Sequence, residues 1–123
     1  MMRVIRLVAI ALLVTVTTLA VSRLEAKNAG PFTVIISTWR VVFENGVKET
    51  CEVDKSGDAV EKEPLRTAKG KAERQDKAFI IKFEDDRVER WTPVGGRMTV
   101  EHWFPASQYP NGPRVLGIAE RTQ

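Results

Sequence analysis

The chain has one cysteine, one histidine and one tyrosine among its 123 residues, and each scarcity narrows what it can be. With Cys51 alone, no internal disulfide can form. A structural zinc site built from several thiolates or imidazoles is excluded on the same grounds. A small domain with neither staple must hold itself by packing, which favours a regular sheet around a compact core. Helical periodicity is also scarce. Only 64–78 carries it, with Leu65, Ala68 and Ala72 on one face and Gly70 interrupting, so strand, loop and helix all remain open there.

Long apolar runs are missing too. The uncharged run Leu7 to Ala20 has 14 residues, short of the roughly 18 that mark a comfortable membrane crossing. Arg3 and Arg6 precede it, and the small residues Ala20, Ser22 and Ala26 follow, which is the layout of a secretory signal. We therefore expect a signal helix within residues 1–26, cut after 20, 22 or 26, followed by one domain at 27–123. Localisation would be exported, periplasmic or extracellular, with no stable membrane span after cleavage. An uncleaved N-terminal membrane anchor is the alternative.

Cleavage after Ala26 would remove Arg3, Arg6, Arg23 and Glu25, taking the 19 basic residues to 16 and the 16 acidic residues to 15, a net charge of +1. So small a surplus gives no argument for a nucleic-acid partner. Lys69, Lys71, Arg74 and Lys77 form a basic cluster diluted by Glu73 and Asp76, as a lysine-guarded strand would show. Glu84, Asp85 and Asp86 match no calcium-loop spacing and read as solvated turn carboxylates.

What the chain does contain, after residue 30, is a series of short β-branched and aromatic runs punctuated by Gly, Asn, Asp and Pro. Candidate strands fall at 32–43, 47–53, 58–63, 70–75, 78–84, 87–92, 97–104 and 114–120. The spacing predicts an all-β fold, an antiparallel up-and-down meander of about eight short strands, closed as a small barrel or strongly curved.

Two hairpins fix the register. A three-residue loop at Glu44-Asn45-Gly46 with Gly46 left-handed pairs Val41 with Glu49 and Trp39 with Cys51, gathering apolar side chains on one face. Cys51 then becomes a small core hydrophobe; a reactive thiol, alone or with His102, is the competing reading. In "RVERWTPVGGRMTVEHWFP", residues 87–105, a two-residue turn at Gly95-Gly96 sets Trp91 against Val100, Arg90 against Glu101, Glu89 against His102 and Val88 against Trp103. Trp91, Met98, Val100 and Phe104 share a face with Glu89 and His102. A carboxylate facing the single histidine suits a satisfied buried pair, a ligand contact or acid–base chemistry. The connector 105–113, stiffened by Pro105, Pro110 and Pro113, either crosses the barrel mouth, carries Tyr109 to a partner, or packs it on the sheet.

The segments "STWRVVFENG", "VDKSGDAV" and "IIKFEDDRVERWTPVGGRMTVEHW" resemble small secreted proteins with lipocalin-like or avidin-like up-and-down sheets, over about residues 37 to 120. Ser37 and Thr38 stand where the lipocalin pattern has a glycine before its tryptophan, here Trp39. The resemblance implies a fold, a structural role for Trp39 and a tendency to bind apolar small molecules.

The expected function is thus a non-enzymatic exported binding protein for a small, mainly apolar ligand. Glu89, Trp91, Val100, His102, Phe104 and Tyr109 are the candidate ligand contacts. An envelope protein–protein interaction or structural module without a small-molecule ligand is the alternative. No catalytic residue, metal ligand or cofactor is expected.

Overall fold

The computed structural model describes residues 34–122, and the expected signal segment lies outside them. Eight antiparallel strands follow one another around a closed barrel: β1 (Ser37–Phe43), β2 (Lys48–Val53), β3 (Asp58–Glu63), β4 (Arg66–Gln75), β5 (Ala78–Phe83), β6 (Val88–Val94), β7 (Arg97–Trp103) and β8 (Val115–Arg121). Each strand pairs with its sequence neighbour, and β8 returns to β1 with Val41 opposite Ala119. Closure removes the unpaired edges that a curved open sheet would leave. No helix among the described residues is long and apolar enough to cross a membrane.

The turns are chemical. Gly46 adopts φ 86°, and Val47 N–H donates to Asn45 Oδ1 at 3.1 Å, giving the β1–β2 register with Trp39 opposite Cys51 and Val41 opposite Glu49. Gly95, at φ 62°, turns β6 into β7 with Glu89 opposite His102 and Trp91 opposite Val100. Both hairpins have the registers expected from sequence. The ambiguous stretch 64–78 is mainly strand: β4 starts at Arg66, four residues before the expected 70. Its helical spacing lost to pairing on both sides, with β3 and with β5. Its lysines therefore occupy the outer surface of an internal strand and guard no edge. The first strand is shorter than expected, beginning at Ser37.

Alternation puts one side of every strand into the bore. Trp39, Phe79, Ile81, Trp91, Met98 and Val100 fill much of it, and Cys51 is buried among them. The large rings are accommodated by small residues elsewhere. Ala59, Ala68, Ala72 and Ala119 are all buried. A Cβ on Gly70 would stand 2.9 Å from the Phe83 ring, and one on Gly117 2.7 Å from the Phe43 ring. At the end where β1 begins, Ile35 and Trp39 close the bore: Trp39 Nε1 donates to Ile35 O at 2.8 Å, and Arg121 lies 5.0 Å over the indole.

The connector 104–114 folds over the outside. Trp103 points outward yet is fully buried, because Tyr109 packs edge-on against it at 4.9 Å and its Nε1 donates to Gly112 O. Of the roles open to Tyr109, packing on the sheet is the one observed.

Candidate functional site

The end of the bore opposite Ile35 is lined with acid. Inward positions on β2 and β3 carry Glu49 and Glu61, and β6 carries Glu89; they are 3%, 0% and 0% exposed. One carboxylate oxygen from each lies within 4.8 Å of the others. Because β2 and β6 are four strands apart in the barrel, these side chains meet from opposite walls.

Each carboxylate has a different surrounding. Glu89 has one partner on each oxygen: Oε1 accepts from Trp91 Nε1 at 3.0 Å, and Oε2 lies 2.9 Å from His102 Nδ1. Glu61 forms an ion pair with Arg87 Nη2. Glu49 has no hydrogen-bond donor on either oxygen among the described residues, and its nearest cation, Arg87 Nη1, is 3.8 Å away. Burial, then the charge of Glu89 and the closeness of Glu61, pushes the Glu49 carboxyl up to about 12. Burial likewise raises Glu61, against the lowering pull of Glu49 and Arg87. A proton on Glu49 would convert it from an orphaned acceptor into a donor to its neighbours.

Arg87 spans the cluster and the barrel mouth. It follows the β5–β6 turn, folds back over Phe83 at 5.1 Å and is 1% exposed. Its Nη2 lies 2.7 Å from Asp85 Oδ2, and its Nη1 3.2 Å from Glu63 Oε1. Burial opposes its charge, but Asp85 and Glu61 hold the guanidinium protonated. Burial also opposes charge on Glu63, yet Arg66 and Arg87 keep it below the usual carboxylate range.

Above this lies a cavity of about 250 Å³, whose walls include Phe43, Phe104 and Val115 with Glu63, Arg87 and His102. The six residues singled out from sequence therefore separate. Glu89 and His102 do meet, and His102 and Phe104 reach the mouth. Trp91 and Val100 are fully buried in the packed bore, and Tyr109 sits outside against Trp103. Phe104 shares a mouth with His102 but is 62% exposed on its rim.

Cys51 is fully buried, and burial followed by the charge of Glu89 raises its thiol well above the ordinary range. A thiolate is disfavoured there, so the site offers no activated sulfur nucleophile. Sequence reasoning missed Glu49, Glu61 and Arg87. The signal for the first was present: Val41 opposite Glu49, in the register that buries Trp39 and Cys51, already turns Glu49 inward. Glu61 faces inward opposite that same Cys51.

Comparison with protein-family models, with curated proteins and with solved structures gave no match for this chain.

Proposed function

We propose that the barrel is an exported, non-enzymatic binding module whose site is the mouth between Phe43, Phe104, Val115, Glu63 and His102. The 250 Å³ cavity there carries the reading. It lies just under the roughly 300 Å³ at which ordinary ligand pockets begin, so the ligand is small. The apolar walls suit a mainly apolar body, and Glu63 and His102 supply orienting hydrogen bonds. Since Trp39, Trp91 and Phe79 occupy the deeper bore, the ligand rests at the rim. The closed up-and-down barrel, with Trp39 on its first strand, supports the lipocalin-like resemblance and through it this reading. Commitment of both Glu89 oxygens to Trp91 and His102 favours binding over acid–base turnover.

Native mass spectrometry of the chain recovered from its own compartment tests this. The expected result is a retained small molecule that Phe104→Ala releases. A bare chain that also gains no thermal stability from small apolar compounds would overturn it.

An outer groove of about 900 Å³ favours a second reading, an envelope interaction module. Val42, Leu116 and Ile118 are 43%, 42% and 48% exposed there, bordered by Arg40, Arg114 and Glu120. Contiguous apolar surface with a charged border is the usual mark of a protein contact. Ile118→Lys would release an envelope partner that the unaltered chain retains.

A further inference from the structure

We infer that Glu49, Glu61 and Glu89 form a binding site for one hard divalent cation beneath the barrel mouth. The argument begins with charge. Glu49, Glu61 and Glu89 converge beside one buried guanidinium, Arg87, which Asp85 and Glu63 also share. Carboxyls crowded together away from water are relieved by a proton or by a cation held among them, and a doubly charged cation can take the proton's place.

Geometry agrees. Ion–oxygen bonds of about 2.0–2.6 Å place ligand oxygens on opposite sides of an ion about 4–5 Å apart. The three carboxylate oxygens lie within 4.8 Å of one another, so all can touch a single ion. An all-carboxylate set selects oxygen-preferring ions such as Ca²⁺, Mn²⁺ or Mg²⁺ over thiophilic ones. The ligands project from three strands of the barrel, β2, β3 and β6.

A separate observation points to a missing partner. The Glu49 side chain is 0% exposed and aimed at Glu61 and Glu89, yet neither of its oxygens has a donor among the described residues. Buried polar atoms are satisfied in the great majority of cases, by protein, water or ion. Arg87 forms an ion pair with Glu61 but stays 3.8 Å from Glu49, beyond hydrogen-bond reach. The Glu61 oxygens also lack a hydrogen-bond donor among the described residues. Glu89, held by Trp91 and His102, keeps a lone pair on each oxygen for a metal, the arrangement in which hydrogen-bonded supports fix a ligating group. The mouth cavity is lined by Arg87 and His102, the side chains that contact Glu61 and Glu89.

This inference does not depend on an organic ligand at the mouth, and the two can fail separately. Chelator-stripped chain is titrated with Mn²⁺, read by loss of the free-ion electron paramagnetic resonance signal, and with Ca²⁺, read by thermal shift. One Mn²⁺ per chain and a Ca²⁺-dependent rise in Tm are expected. Glu49→Gln, near-isosteric and neutral, keeps a cooperative melt and weakens Mn²⁺ binding by about tenfold or more. Asp58→Asn, on the outer surface, leaves it unchanged. Phe104→Ala removes retention of an organic ligand and spares the metal. Folded chain that takes up no Mn²⁺ at millimolar concentration overturns the inference, as does Glu49→Gln binding as tightly as the unaltered chain.

Discussion

His102 Nδ1 lies 2.9 Å from Glu89 Oε2, and the other oxygen of Glu89 accepts from Trp91 Nε1 at 3.0 Å. A fully buried carboxylate is therefore held from two sides by rings on β6 and β7. His102→Ala would strip one of these contacts and leave Oε2 buried without it. Urea unfolding at neutral pH should show a loss of about 1–3 kcal/mol, the cost of an orphaned buried acceptor. Unchanged stability would mean that Glu89 is satisfied by other means.

The two raised carboxyls set a pH dependence. Glu49 is pushed up to about 12 from an ordinary 4.5, and Glu61 is raised as well. The folded chain thus holds protons that the unfolded chain releases above about 4.5, so this stability is fully present below that pH and declines as pH rises toward 12. Glu101, held low by its hydrogen bond from Arg90, has the opposite sense and loses its contribution as pH falls through the acid range. In chelator-treated protein, Tm should fall between about pH 5 and pH 9 at constant ionic strength. Glu49→Gln should flatten that slope and stabilise the chain at pH 8 by roughly 1–3 kcal/mol. A Tm that climbs over the interval would contradict the assignment.

Gly70 marks where β4 passes close to β5. An added Cβ would meet Lys82 O at 2.8 Å and the Phe83 ring at 2.9 Å, one of them rigid backbone. Gly70→Ala should destabilise by about 1–3 kcal/mol, as overpacked cores do. Thermal melts of the variant measure it. A neutral result would show that the two strands separate freely at this point.

Tyr109 pins the connector to the outer wall through Trp103 and through Gln75, whose Oε1 accepts its hydroxyl at 3.0 Å. Tyr109→Ala should cost about 0.5–1.5 kcal/mol beyond the area lost. It should also speed amide exchange in 104–114 without changing what the mouth retains. A loss of ligand on this substitution would place Tyr109 in the site after all.

Much of the barrel wall was legible in the sequence because hairpin pairing is local. Gly95-Gly96 called for a two-residue turn, and at Glu44-Asn45-Gly46 the gathering of apolar side chains on one face selected the three-residue loop. Each turn then dictated the partners, from Trp39 opposite Cys51 to Val88 opposite Trp103. β4 was harder to read. Its inward positions are Ala68, Gly70 and Ala72, residues with weak strand preference whose role is to make room for rings on other strands. Half of the site was legible as well, since Glu89 opposite His102 follows from the Gly95 turn alone.

By itself the sequence determined the alternation of inward and outward side chains, the turn positions and the antiparallel order, because each depends on neighbours a few residues apart. Only the tertiary structure decided which faces are covered. Closure of β8 onto β1 turned one sheet face into a bore, bringing Glu49 and Glu61 from one wall against Glu89 from the other. The same closure left Phe104 on the rim, while the folded-back connector buried the outward Trp103 beneath Tyr109. Arg87 belongs to no strand, and its place above the acids is fixed by charge acting across the barrel rather than by any local pattern.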